Sequence, residues 1–553
     1  MVSTTAAIYF HPEAYSTGGN DLKGRNAAGE SFLKGYLQHS SQDEFFCYVK
    51  NLVDAEDFVR QVSDRKEQKA KIITFDRTPA LTLAQTLFYP GPDIGDIAFQ
   101  RSNIDPTGWS ICGITHTTSS ARAMDAIASL IISEVEPWDA VICTSSAVKR
   151  HVENILTNEL ERLTARLGIR KSRLPILPII PLGVNTDDFI FSETEKLESR
   201  DKLNIKREDI VILYMGRLSF HAKAHPAAMY SALEKAAKDS GKRLTLIECG
   251  WFANSYTEAA YSAASNELCP AVKIIRLDGR KRENRRLVWA VADIFCSLSD
   301  NIQETFGITP VEAMAAGIPV VASDWNGYKD TIRHGKDGFL VKTSLPQPGL
   351  GGDLALRHAM GIDNYDYYCG YNCMHTAVDI EETTLFLKRL IENRELRLSM
   401  GKIGRERAIS TYDWKGIIGQ YEELWSELGE SRYRARNSDD NLKKPQIWPA
   451  RMDPFTSFAH YPTYSININS IVERVIANEE NAIEQLEMFY NLEIIKFSKD
   501  ILPSIDTATE ILKKIKASGS KVEQVIRIGE EEAALQLRAV SFLQKLGLIR
   551  VKK

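Results

Sequence analysis

Glu304 and Glu312 bracket Phe306-Gly307-Ile308, a glycine turn that opens an apolar helix, and Gly317-Ile318-Pro319 then leads into a β-branched strand ending at Ser323. A helix N-terminus offers unpaired N–H groups and a positive dipole end, so this turn is suited to holding a phosphate. An ionised carboxylate accepts several hydrogen bonds, and sugar rings offer hydroxyl donors in adjacent pairs, so the flanking acids suit a polyol. A second anion-binding element is Tyr214-Met215-Gly216-Arg217, followed on the same loop by Lys223. At the carboxyl end of a parallel strand, the arginine fork and the lysine point charge would reach the ligand crevice and neutralise a diphosphate. Phosphate plus polyol points to a nucleotide sugar.

The elements that must carry these residues alternate between short β-rich runs and longer helical patterns, twice over. The first set of strands is expected at Thr4 to Phe10, Glu44 to Val49, Lys71 to Phe75, Ser110 to Thr115, Asp139 to Thr144 and Leu177 to Leu182. The second set is expected at Ile210 to Met215, Arg243 to Cys249, Val272 to Leu277, Asp293 to Leu298, Pro319 to Ser323 and Gly338 to Val341. Near-continuous apolar strands separated by helices imply parallel sheets covered on both faces, hence an α/β chain with two doubly wound, Rossmann-like domains. The first is assigned to 1–190 and the second to 191–411, with a polar boundary near Asp187 to Arg207. Tyr412 to Leu428 reads as a tryptophan-containing amphipathic helix, last in the second set, and is also assigned as the helix that closes the first domain. A basic, exposed run and a proline- and aromatic-rich stretch make 429–465 a linker, and 466–553 is a small, mostly helical accessory domain. That domain resembles a winged-helix unit, with Val522 to Leu537 as its middle helix and Leu548 to Val551 as a wing strand. Glu523, Glu530, Glu531 and Glu532 argue against DNA recognition by that helix and favour oligomerisation or partner docking.

At 553 residues the chain exceeds one ordinary core, and its 44% hydrophobic and 26% charged residues are those of a globular protein. A net charge of −4 gives no general reason to bind nucleic acid. No apolar run is long enough to span a bilayer and the N-terminus lacks a basic lead, so a cytoplasmic location is expected, with peripheral contact at the inner face of a membrane left open. The cysteines fit a reducing compartment, and Cys143, Cys249 and Cys296 sit in apolar strand runs. Cys369, Cys373 and His375 match no common zinc spacing, so no metal is expected.

Gly216-Arg217-Leu218 with Lys223, the Glu304 to Glu312 pair around Phe306-Gly307, and Glu312-Ala313-Met314-Ala315-Ala316-Gly317-Ile318-Pro319 resemble the signature of family 4 glycosyltransferases over residues 1–428. These are retaining enzymes of the GT-B fold, in which two Rossmann-like domains face a cleft. The resemblance implies that Arg217 and Lys223 bind the donor diphosphate. It further implies that Glu304 binds the donor sugar hydroxyls, that Gly216, Phe306, Gly307 and Ile308 belong to the donor site, and that Glu312 binds the ribose. Gly18 and Gly19 match the family's glycine loop after the first strand, and His116 its strand-end histidine facing the transferred sugar. The implied donor is a nucleoside diphosphate sugar, without further cofactor or metal, and the implied acceptor a sugar, glycan or lipid-linked saccharide. Glu13 lies on the loop after the first strand, within reach of the acceptor side.

This chain departs from the family pattern in three places. Asp324 to Asp330 replaces a Gly-Gly-Pro-Glu-like turn, Arg280 to Arg286 is strongly basic, and an insertion from Leu350 to His375 carries Tyr365, Tyr367, Tyr368 and Tyr371. Tyrosine-rich loops suit sugar stacking or subunit contacts. Other functions weighed are a GT-B-type phosphorylase or nucleotide-sugar epimerase, and a non-catalytic scaffold. A homo-oligomer through the C-terminal domain is a further option.

Overall fold

A computed structural model of the protein describes residues 5–15, 24–64, 69–169, 172–527 and 530–552. It forms two compact units, Met1–Trp448 and Pro449–Lys553. The first unit contains two parallel six-stranded sheets. β1 (Ala7–Tyr9), β2 (Glu44–Val49), β3 (Lys69–Thr74), β4 (Thr86–Phe88), β5 (Ser110–Ile114) and β6 (Ala140–Ile142) take the order β3-β2-β1-β4-β5-β6. β7 (Ile210–Met215), β8 (Leu244–Gly250), β9 (Lys273–Asp278), β10 (Ile294–Ser297), β11 (Val320–Ser323) and β12 (Gly338–Val341) take the order β12-β11-β10-β7-β8-β9. The second order repeats the first, with the chain reversing direction across the sheet between β1 and β4 and between β7 and β10. These are two doubly wound domains, and together they make a GT-B fold. Helices cover both faces: β5 and β8 are buried at every position, as strands between two helical layers must be.

One expected strand is absent. Leu177 to Leu182 makes only one isolated bridge, Cys143 to Ile179, with another, Ala140 to Ile176, just before it. Pro175, Pro178 and Pro181 explain this, because a proline has no N–H to give to a ladder. The strand that completes the first sheet is instead the three-residue β4, entered from Gln85 at φ 64°.

The Trp414–Ser438 helix packs on the first domain and not on the second, where its place in the sequence would put it. Trp414, Ile417, Ile418, Tyr421, Leu424, Trp425 and Leu428 share one core with Phe32, Leu33 and Tyr36 of the Gly24–His39 helix and with Ile8, Phe45 and Cys47 of β1 and β2. Trp414 is fully buried, and a Cβ on Gly35 or Gly183 would lie 2.5 or 2.4 Å from its indole. Its ring N–H donates to Ser31 Oγ at 2.8 Å. The helix runs ten residues past Leu428, so 429–438 is not linker. Arg432, expected to be exposed, is buried and donates to Gln85 O at 2.6 Å and Ser110 Oγ at 2.7 Å, while Arg436 pairs with Asp105 at 2.7 Å. The two passages of chain between the domains run side by side: Val184 N donates to Tyr412 O at 2.8 Å, and Trp414 N to Val184 O at 3.1 Å.

β13 (Thr343–Ser344) and β14 (Ala377–Val378) form an antiparallel ribbon at the base of the insertion, which holds the Gly352–Ala359 and Tyr365–Cys373 helices. In the second unit, β15 (Ile471–Arg474) pairs antiparallel with β16 (Ser520–Lys521) and β17 (Ile549–Val551), beside the Glu479–Tyr490, Ile505–Lys514 and Glu530–Lys545 helices. Val472, Leu486, Ile511, Leu512, Ile515, Val522, Val525, Val540 and Leu543 close its core. The middle helix expected over Val522 to Leu537 is only the single turn Val522–Val525, and a separate helix starts at Glu530. No helix of the described residues is long and apolar enough to cross a membrane.

Candidate active site at the strand ends

The Gly216 to Lys223 loop follows β7, and the Leu298 to Gly307 loop follows β10. These are the two neighbouring strands from which the chain winds in opposite directions. In open α/β sheets the crevice beyond the carboxyl ends of such strands is the ligand site. Gly216 leaves β7 at φ 151°, a value L side chains rarely adopt, and its N–H donates to Cys249 O at 3.1 Å. Arg217 Nη2 donates to Ala222 O at 3.0 Å, so its guanidinium spans the loop it belongs to.

Lys223 Nζ donates to Glu304 Oε2 at 2.5 Å, and the Thr305 N–H donates to Glu304 Oε1 at 3.2 Å. Burial raises the Glu304 pKa, but the Lys223 charge, its hydrogen bond and the N–H groups of Thr305 and Phe306 outweigh it and hold the carboxyl below its ordinary value. The Glu304 side chain is 8% exposed and therefore an ionised acceptor in a mostly dry wall.

Gly307 caps the Ile308–Ala315 helix at φ 87°. A Cβ there would sit 2.1 Å from the Tyr328 ring, and the Tyr328 hydroxyl is anchored 2.9 Å from Ser297 Oγ. The turn is thus open only to glycine. The N–H groups of Gly307 and Ile308 donate to none of the described residues, which leaves them available to an anion. The Phe306 ring is core, 2% exposed, so this residue can serve a ligand only through its backbone. Glu312 lies on the next turn, half-buried; burial pushes its carboxyl up to about 7 although Arg285 pulls it down. Arg285, whose Nη1 donates to Gly279 O at 3.0 Å, is the one member of the basic run that acts on this acid. Arg280 is paired with Asp278 at 2.9 Å and Arg286 with Glu195 at 2.6 Å.

The first domain meets this loop at its own strand ends. His116, just beyond β5, accepts from Thr305 Oγ1 at its carbonyl at 3.1 Å. Ser145 Oγ donates to Thr305 O at 2.7 Å, and Asp330 accepts from both the N–H and the hydroxyl of Ser146, at 2.5 and 2.7 Å. Thr305 thus brings the turn between Glu304 and Gly307 against the strand end that carries His116, while Arg217 and Lys223 lie on the loop after β7 and Glu312 on the helix that Gly307 caps. Gly18 and Gly19 lie outside the described residues, and Glu13 is exposed.

Asp300 was signalled by no motif, and the partners of Gln303 and Tyr365 were not evident from the sequence. Asp300, 5% exposed, accepts from the His225 N–H at 3.1 Å, and burial pushes its carboxyl up to about 7. Gln303 and Tyr365 join it on the same wall, the tyrosine hydroxyl donating to Gln303 Oε1 at 3.3 Å. Cys369 and Cys373 are buried thiols on the inner side of the Tyr365–Cys373 helix, and His375 is exposed. An open concavity of about 350 Å³ is lined by Arg150, Trp325, Lys329 and neighbours, but by none of the residues with ligand chemistry described above.

Residues 195–348 match the family model described as glycosyl transferases group 1. A D-inositol 3-phosphate glycosyltransferase of Nocardia farcinica is 24% identical over 269 residues, 47% of this chain and 58% of the relative. The putative glycosyltransferase EpsD of Bacillus subtilis is 28% identical over 190 residues, 34% of this chain and 47% of the relative. The chain thus spans about half the length of these curated relatives. Among solved structures, Anabaena HepE in complex with UDP-glucose is similar with a TM-score of 0.48 at 14% identity, over 76% of this chain and 100% of that one.

Proposed function

We propose that this protein transfers a sugar from a nucleoside diphosphate sugar to an acceptor hydroxyl, with retention of anomeric configuration. The observation that carries this reading is the coincidence, at the ends of β7 and β10, of a cationic loop, an ionised buried acid and a glycine-capped helix with free N–H groups. The diphosphate lies against Arg217, Lys223 and the Gly307 turn, Glu304 accepts from the donor sugar hydroxyls, and Glu312 accepts from the ribose. As the bond between the sugar and the diphosphate breaks, negative charge grows on the leaving phosphate. Fixed donors in a water-poor site stabilise that charge without reorganising, which is the main catalytic contribution. The Lys223 ammonium, held by Glu304, is already in place for it. No side chain is assigned as a double-displacement nucleophile; departure and attack occur on the same face, and the departing phosphate takes the acceptor proton. Because Arg217 and Lys223 supply the positive charge, no metal is required, and the reaction is expected to survive chelation.

Arg217→Ala, Lys223→Ala and Glu304→Gln should each lower transfer by at least about a hundredfold, the order of effect for one transition-state donor. Their thermal unfolding should remain cooperative. The readout is release of nucleoside diphosphate that depends on added acceptor, which also separates transfer from phosphorolysis and epimerisation. Full activity in all three variants would overturn the assignment.

A further inference from the structure

The insertion between β13 and β14 is placed where it can control what reaches the donor sugar. Its Tyr365–Cys373 helix turns one stripe inward, formed by Tyr365, Cys369, Gly370 and Cys373, while Tyr367, Tyr371 and Met374 face outward and are exposed. The inner stripe lies on the loop that follows β7. A Cβ on Gly370 would lie 2.9 Å from His221 Cβ, and Cys373 Sγ lies 3.6 Å from Phe220 O. At its first residue the helix reaches across the cleft. The Tyr365 hydroxyl donates to Gln303 Oε1, next to Glu304, and lies 3.4 Å from Thr117 Oγ1 and 3.4 Å from Ser119 Oγ, just beyond His116. One side chain thus touches the donor wall and the first domain together. Its contacts with the first domain are long hydroxyl pairs, suited to being made and released.

We infer that this helix is a lid on the acceptor side of the cleft and that Tyr365 is its positioning residue, holding the lid shut over the donor sugar so that water is kept from it. The inference rests on the transferase reading. It also predicts the side reaction that lid loss permits. In donor hydrolysis the bond from the sugar anomeric carbon to the phosphate oxygen breaks, a water oxygen bonds to that carbon, and the water proton passes to the leaving phosphate. The products are free sugar and nucleoside diphosphate, so the reaction needs no knowledge of the natural acceptor.

The test uses the full chain with UDP-glucose, UDP-N-acetylglucosamine and GDP-mannose as probes, and takes forward the one that raises the wild-type unfolding temperature most. Tyr365→Phe removes only the hydroxyl, Tyr365→Ala removes the wall, and Gly370→Val forces the helix off His221 without touching Tyr365. For each, the affinity of the corresponding nucleoside diphosphate and the rate of donor hydrolysis in buffer are measured. The lid predicts affinity within about twofold of wild type and hydrolysis raised at least threefold, in the order Phe below Ala. Hydrolysis unchanged or lowered in all three, with affinity kept, would overturn it, as would a loss of nucleotide affinity, which would make the helix part of the donor site. If none of the probes or their nucleoside diphosphates stabilises the wild type, the transferase reading itself fails.

Discussion

Two carboxyls at this site are pushed to about 7, and each sets a different pH dependence. In its proposed role at the ribose, Glu312 accepts best when ionised, so nucleoside diphosphate affinity should climb from about pH 6 to about pH 8 and then level off. In Glu312→Gln that climb should vanish; titration calorimetry at several pH values reads it, and a wild-type profile that is flat would contradict the assigned role. Asp300 acts on stability. Its folded pKa lies above the ordinary 3.8, so the folded state holds a proton that the unfolded chain lacks between those values. Its stabilising contribution is therefore full below about 3.8 and is lost as pH rises through about 7. Asp300→Asn, which keeps an oxygen for the His225 N–H, should raise the unfolding temperature more at pH 8 than at pH 5. An equal shift at both would show that burial of the charge is not the cause. The motifs behind the proposed donor site were legible in the sequence because each is local: one βα loop carries Arg217 and Lys223, another carries Glu304 to Glu312. Asp300 was not, and the partners of Arg285 and Tyr365 were not, since these depend on neighbours distant in the chain.

Among the elements, the Trp414–Ser438 helix carries the clearest energetic prediction. Trp414 lies between two glycine backbones in the first core, and a buried tryptophan cut to alanine typically costs about 3–5 kcal/mol. Trp414→Ala should lose stability of that order in urea unfolding, whereas truncation of the exposed Tyr433 on the same helix should change it by less than about 0.5 kcal/mol. Comparable losses at both positions would mean that the helix is not anchored as described. An amphipathic pattern shows that a helix has a buried face, but not which of two sheets will bury it, and that is why the sequence pattern did not decide between the domains. The same limit applies to 177–182, where apolar composition suggested a strand and the proline spacing, visible in the same residues, forbade it. Most other strand ends lie within a few residues of their expected positions, because fully buried parallel strands leave unbroken apolar runs.

At the scale of the molecule, the two domains of the first unit are clasped, among the described residues, by Thr305 with His116 and Ser145, by Asp330 with Ser146, and by Tyr365 with Thr117 and Ser119. The carboxylate of Asp330 sits at the first turn of the Ser146–Leu167 helix, where a negative charge is favoured. Hydrogen bonds to a charged group contribute roughly 1.5–3 kcal/mol each, so Asp330→Ala should shift the balance toward an open cleft and weaken donor binding about tenfold or more. Calorimetric affinity checks this, and wild-type affinity would show that the clasp does not govern closure. The paired passages at Val184 and Tyr412 to Trp414 bear on how the protein is made. Synthesis delivers the first sheet early, yet the helix that seals its core comes from the ribosome only after the whole second domain. The earlier half must wait, with the apolar faces of Phe32, Tyr36 and Phe45 uncovered, while the later half finishes its own core. A protein so threaded cannot complete its first core until the chain of the second domain has been made.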